Sequence, residues 1–292
     1  MDDRGVRAPA VDRAGAVEMA DRFFDAVHVP SLVQADRAKA YELLAALVSR
    51  ADDRDRDENA SSGARGPPLG SAPPAEQLEL IVAACDGEKD PRNVLLVCEL
   101  WAMLPRAFCG AAASDGSDRF GSAASAAAAP PSPAHAAAFA SAAEELYDVV
   151  AAYFPVSFRP PANDRVLVTH EQLAATLRSA MCASPSYAPW AVPHVLESLD
   201  ETKPPKTLDD ALATVCACGA SFGREAMRPH LRAVWGALRN VLLRPPAGPE
   251  LTAEGAARWA TRCFAAEWSR SDVNDVFQGS DCLLYTSDAA DE

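Results

Sequence analysis

Apolar residues recur along most of the chain at intervals of three and four positions, the spacing that places them on one face of a helix. Val33, Leu43, Leu44, Leu47 and Val48 mark a first such face, which Ser31 is placed to cap. Leu78, Leu80, Ile81 and Val82 predict a short buried helix. Asp90-Pro91 then reads as an N-cap followed by proline at the first helical position, where its missing N–H costs nothing. The helix it opens carries Leu95, Leu96, Leu100, Trp101 and Leu104. A single helix is expected over 136–153, with Leu146, Val149 and Val150 facing inward.

The second half is more regular. Thr169 and Gln172 have the spacing of a capping box, and Leu173, Leu177 and Met181 follow at helical intervals. Trp190, Val192, Val195, Leu196 and Leu199 predict a partner helix, which Pro193 either bends or begins. Thr207 and Asp210 are expected to start the next, with Leu208, Leu212, Val215 and Gly219 in one stripe. Its partner bears Leu231, Val234, Trp235, Leu238, Val241 and Leu242. Thr252 opens a third unit through Trp259, Phe264 and Trp268. The expected caps at Thr169, Thr207 and Thr252 recur at close to the roughly 40–47-residue period of HEAT and armadillo arrays. No strand-like alternation intervenes. The fold expected is therefore all-α, a HEAT/armadillo-type α-solenoid; an irregular helical domain is the alternative.

Composition adds the interruptions. Residues 51–74 run from an Asp/Arg block into Ser, Gly and Pro, and residues 109–135 are Ala/Ser/Gly-rich and end in Pro130-Pro131-Ser132-Pro133. Neither offers enough apolar surface to offset the entropy of ordering, so both are expected to be disordered insertions. They separate N-terminal helices (1–50), a helical pair (75–108) and HEAT-like repeats (136–281). The final residues, 282–292, read CLLYTSDAADE. They match the in-frame translation of a transposon-type sequencing adapter and are expected not to be native, which leaves the array truncated at its C-terminus. Trp259, Phe264 and Trp268 should then lack part of their packing.

A formal charge of −14 and a pI near 4.8 argue against a nucleic-acid surface, which needs clustered Lys and Arg. The eight cysteines follow no ladder and read as buried reduced thiols, which places the protein inside the cell. Met1-Asp2-Asp3-Arg4 is no signal-peptide start, and no apolar run of about 18 residues suggests a membrane span.

Candidate chemistry changes the picture little. Cys216 and Cys218 form a C-x-C without a second ligand pair and point in different directions on a helix, so core packing is the expectation. His28, His135, His170, His194 and His230 form no H-x-x-x-H or H-E-x-x-H and read as surface or helix-end residues. Ser221-Phe222-Gly223 is not a nucleophile elbow, and no phosphate loop is present. In Asp86–Asn93, Gly87 is expected to end one helix and Asp90 to cap the next, with the other charges facing water; Arg92 and Asn93 are placed to tie the turn to a neighbouring repeat. No catalytic, cofactor-binding or metal residue is assigned, and a non-enzymatic binding surface is expected.

Three segments carry a resemblance: DGEKDPRNVLL over Asp86–Leu96, YFPVSFRPPANDRVLVTHEQLAATLR over Tyr153–Arg178, and VPHVLESLD over Val192–Asp200, the last followed by the Leu208 helix and Cys216-Ala217-Cys218. In this order, over roughly residues 75–243, the chain resembles the N-terminal region of the MMS nineteen nucleotide excision repair protein family, the cytosolic iron–sulfur assembly component. The resemblance implies a HEAT-repeat scaffold. It also implies delivery of iron–sulfur clusters to apoproteins of DNA repair, replication and transcription, including the helicase of transcription factor IIH. The implied partners are a β-propeller subunit and a small carrier subunit, bound through a C-terminal region outside this chain, and the client enzymes. No cofactor is expected on this stretch, no direct contact with nucleic acid or membrane, and a location in nucleus and cytoplasm. A different helical adaptor, such as a transport receptor, is the alternative; an enzyme with its site elsewhere in the protein is another.

Overall fold

Local signals in the sequence set most helix starts. In the computed structural model, which describes residues 13–52, 69–110, 132–158, 168–199 and 205–243, every regular element is helical. Helices α1 (Arg13–Ala26) and α2 (Gln34–Asp52) are followed by α3 (Pro74–Cys85) and α4 (Pro91–Cys109). Then come α5 (Pro133–Ser141), α6 (Ala143–Ala151), α7 (His170–Met181), α8 (Ala188–Glu197), α9 (Pro205–Met227) and α10 (Leu231–Leu243). The Asp90 carboxylate accepts the Arg92 amide and Pro91 takes the first turn of α4, as the sequence implies. At α7 both halves of the capping box form: the Gln172 amide donates to Thr169 Oγ1 at 3.1 Å, and the Thr169 amide to Gln172 Oε1 at 3.0 Å.

The helices stack in two layers. One runs α2–α4–α7–α9; the other runs α3, then α5 and α6, then α8 and α10. Within each layer a helix packs on its neighbours, and α4 on α5, α6 on α7 and α8 on α9 join the layers. This nearest-neighbour order is that of an α-solenoid. Helix α4 lies inside it, with Val94, Val97, Leu100, Trp101, Leu104 and Phe108 all buried, because it is covered by α2, α5 and α7. The Trp101 indole N–H donates to the Leu146 carbonyl at 2.7 Å, fastening α4 to α6. The apolar stripes read from sequence on α7 and α10 are buried at Leu173, Leu177, Met181, Leu231, Val234, Leu238 and Val241.

Several boundaries fall elsewhere than the sequence suggests. Ser31 caps nothing: it ends a 3-10 turn, its hydroxyl donates to the His28 carbonyl at 2.7 Å, and Val33 is 67% exposed just before α2. The helix expected over 136–153 starts at Pro133, inside the segment assigned to an insertion, and breaks at Ala142. Residues at the end of the other assigned insertion are also placed. Leu69 is fully buried, and the Ser71 amide donates to Asp21 Oδ1 at 2.7 Å. Gly70 turns the chain there at φ +101°, where a Cβ would collide with the Asp21 carboxylate. Thr207 lies within the first turn of α9 rather than at its cap, so it no longer supports the repeat period. That helix is broken at Gly223, whose φ of 71° departs from helical geometry. The Thr252 unit and residues 282–292 lie outside the described residues.

Candidate functional site

The polar residues singled out in the sequence are drawn into ties between helices. Glu88 sits in the turn between α3 and α4, reached through Gly87 at φ +73°. It is 5% exposed, against the expectation that the acids of this turn other than Asp90 face water. The reason is that every lone-pair direction finds a donor. Arg37 of α2 grips it twice, Nε at 2.7 Å and Nη2 at 3.0 Å; Tyr41 Oη donates at 3.0 Å and Asn93 Nδ2 at 3.0 Å. The amides of Lys89 and Asp90 donate to Oε1 at 2.8 and 3.0 Å. Burial alone raises the Glu88 carboxyl, but the hydrogen bonds from Arg37, the two amides and Asn93 outweigh it and hold it lowered to about 2. Asn93 also donates to the Gln34 carbonyl at 3.2 Å, so it does tie the turn to the neighbouring pair. Arg92 instead folds onto Asp90, Nε to Oδ1 at 3.4 Å. A carboxylate so fully engaged has no lone pair left for a substrate.

Two histidines, at helix ends as expected, likewise serve as ties between helices. His170, the first residue of α7, is buried with Nε2 at 2.8 Å from Asp210 Oδ2 on α9. His194 Nδ1 on α8 lies 2.9 Å from Tyr147 Oη on α6, and burial lowers its pKa. His135 Nδ1 is buried without a hydrogen-bond partner, and burial lowers that pKa too.

The thiols follow the same logic. Cys85, Cys98, Cys109, Cys182 and Cys218 are free, and burial pushes Cys98 up to about 12 and Cys109 to about 11. Cys182 Sγ, just after α7, and Cys218 Sγ of α9 meet at 3.5 Å; their hydrogen bond, then burial, raises Cys218. Cys216 is half-buried while Cys218 is 1% exposed, the divergence expected of a helical C-x-C. Among the described residues no three His, Cys, Asp or Glu side chains converge as a metal site, and no helix is long and apolar enough to cross a membrane.

An open groove runs across α4, α7 and α9, with a volume of about 670 Å³. Small side chains make its floor: Ala102 on α4, Ala175, Ser179 and Ala183 on and after α7, and Ala217 and Ser221 on α9. Arg106 and Arg178 line it, and Glu99 borders an adjoining hollow that shares Ala102 and Ser179 with it. The sequence reading missed this groove, because alanine and serine at helical intervals look like filler. The one signal was their recurrence at i, i+4 and i+8 in Ala175, Ser179 and Ala183.

Such a surface suits macromolecular contact, and comparison with known proteins bears on whose. A family model described as Dos2-interacting transcription regulator of RNA-Pol-II matches residues 5–244. The human MMS19 nucleotide excision repair protein homolog is 27% identical over 264 residues, covering 89% of this chain and 21% of the human protein. The MMS19 DNA repair/transcription protein of Saccharomyces cerevisiae is 28% identical over 175 residues, 60% of this chain and 14% of the yeast protein. The Arabidopsis thaliana MMS19 homolog is 28% identical over 164 residues, or 55% of this chain and 12% of its own length. This chain spans about a fifth of the length of the animal relatives it matches. The match reaches from before α1 to the end of α10 and takes in every helix of both layers, so the chain belongs to the MMS19 family, as its N-terminal region.

Proposed function

We propose that this chain is the N-terminal part of a non-catalytic docking scaffold that acts in nucleotide excision repair and transcription. Within that role we assign it to the targeting complex that delivers iron–sulfur clusters to the apoproteins of DNA repair, replication and transcription. The observation that carries the reading is the use made of polar side chains. Glu88, His170 and His194 are spent on ties between stacked helices, while an open groove floored by small residues crosses α4, α7 and α9. An array of this kind works by presenting an extended face to large partners. The repair and transcription roles printed in the names of the human and yeast relatives support the process. The partners are the β-propeller and carrier subunits, held through a region beyond this chain, and the iron–sulfur enzymes they supply, in nucleus and cytoplasm. Holding client and carrier on one scaffold raises the concentration of each near the other and makes transfer nearly intramolecular.

The test uses the full-length protein, with and without residues 1–281, assembled with its propeller and carrier subunits and offered a purified apo iron–sulfur helicase. The expected result is weaker capture of the helicase, and slower cluster acquisition, in the shortened scaffold. Equal capture by both forms overturns the assignment of client docking to this region.

A further inference from the structure

We infer that the groove across α4, α7 and α9 is a binding site for an acidic helical segment of a partner protein, seated with its carboxylates against Arg106 and Arg178. The inference rests on the docking reading above and specifies the surface and the chemistry of its occupant. The chain carries −14 overall, yet two arginines line this opening. Arg106, in the last turn of α4, is exposed and forms no ion pair among the described residues. It stays there at little cost, because a cation in the last turn of a helix faces the negative end of the helix dipole.

Arg178 is only partly engaged. Its Nε lies 3.4 Å from Thr214 Oγ1, and Nη2 lies 3.9 Å from Asp210 Oδ1, whose other oxygen is taken by His170. These are long contacts for a guanidinium, and the side chain still borders the groove. A guanidinium with donors to spare is suited to a carboxylate. Two turns before Arg106 on α4, Glu99 is exposed beside Ala102, Ala175 and Ser179. Along α4 the groove therefore runs from the acidic Glu99 to the basic Arg106, which sets the direction in which an acidic segment lies.

The floor fixes the shape of that segment. Ala102, Ala175, Ser179, Ala183, Ala217 and Ser221 keep their side chains short, so a backbone can approach closely. A helix with alanine or leucine on its inner face and glutamate toward one end fills such a trough; an extended polyanion without apolar side chains leaves the alanine floor uncovered. The apolar face supplies area and the two arginines supply register, the division of labour expected of docking helices.

The test uses this chain with two fluorescein-labelled probe peptides of one alanine- and leucine-rich helical sequence, one carrying glutamates and one carrying lysines in their place. Fluorescence anisotropy at low and physiological salt reads the affinity. The glutamate peptide is expected to bind and the lysine peptide not to. Arg106→Glu should weaken the glutamate peptide about tenfold. Ser179→Trp, which fills the groove from its floor, should abolish binding, with circular dichroism unchanged for both variants. Equal affinity for the two peptides, or unchanged affinity in both variants, overturns the groove assignment. The same two substitutions in the full-length scaffold separate this inference from the docking reading. If removal of residues 1–281 lowers helicase capture while Arg106→Glu and Ser179→Trp leave it intact, the region docks clients elsewhere and the groove assignment falls alone.

Discussion

Glu88 shows how a single side chain organises the first turns of the array. Its carboxylate accepts from two α2 side chains, from Asn93 of α4 and from two amides of its own turn, so it couples three consecutive segments at one point. Because its carboxyl is lowered to about 2 when folded, against about 4.3 in an unfolded chain, its contribution is fully present above the unfolded value. It is lost as pH falls through the folded value. The window is about pH 5 to 2, and a shift of this size corresponds to about 3 kcal/mol. Glu88→Gln keeps the shape but removes the charge that Arg37, Tyr41 and Asn93 address. Arg37 is 23% exposed and keeps some hydration, so the expected cost at pH 7 is about 2–3 kcal/mol, less than for a fully enclosed pair. Thermal melts at pH 7, 4 and 2.5 check this. The gap between wild type and variant should narrow as pH falls; a constant gap would mean that the charge of Glu88 contributes nothing.

At the scale of the element, start signals with a defined geometry were legible and those resting on residue type alone were not. Asp90-Pro91 and Thr169–Gln172 specify side-chain bonds to particular amides, and those bonds are made. Ser31 and Thr207 are merely residues fond of caps. At Ser31 the chain turns through Val29–Ser31 because Val29 must be buried, which moves the helix start to Gln34. At Thr207 the proline at 205 already begins the helix. The His170–Asp210 and Glu88–Arg37 ties were illegible for another reason: their partners lie 40 and 51 residues apart in sequence, so only the stacking of layers brings them together. The distinction is measurable. Asp90→Ala and Thr169→Ala should each cost about 1 kcal/mol in chemical denaturation, the usual worth of a cap. Ser31→Ala, which loses only an exposed bond to the His28 carbonyl, should stay within about 0.5 kcal/mol of wild type. A loss at Ser31 equal to that at Thr169 would show that the 3-10 turn, not α2, sets that end of the array.

For the whole molecule the layered order makes a statement about how damage spreads. Helix α4 packs on α2, α5 and α7, whereas α10 packs on α8 and on the 3-10 turn Arg228–His230 that precedes it. In a stack where each unit touches only its neighbours, stability is close to a sum of unit and interface terms, and a local defect opens locally. Leu104 is fully buried in α4, so Leu104→Ala removes its packing and leaves a cavity, at a cost of about 2–5 kcal/mol. Hydrogen exchange followed by mass spectrometry should then show protection falling in α2 and α4–α7 while the amides of α8 to α10 keep most of theirs. The gradient follows the order of the layers: α7 touches α9 less extensively than it touches α4, so the defect is damped at that boundary. A domain folded around one indivisible core would lose protection everywhere by the same amount, and that result would rule out the additive stack. The graded outcome also matters for docking. The groove spans α4, α7 and α9, so an occupant bridges the weaker boundary and should restore protection on both of its sides at once.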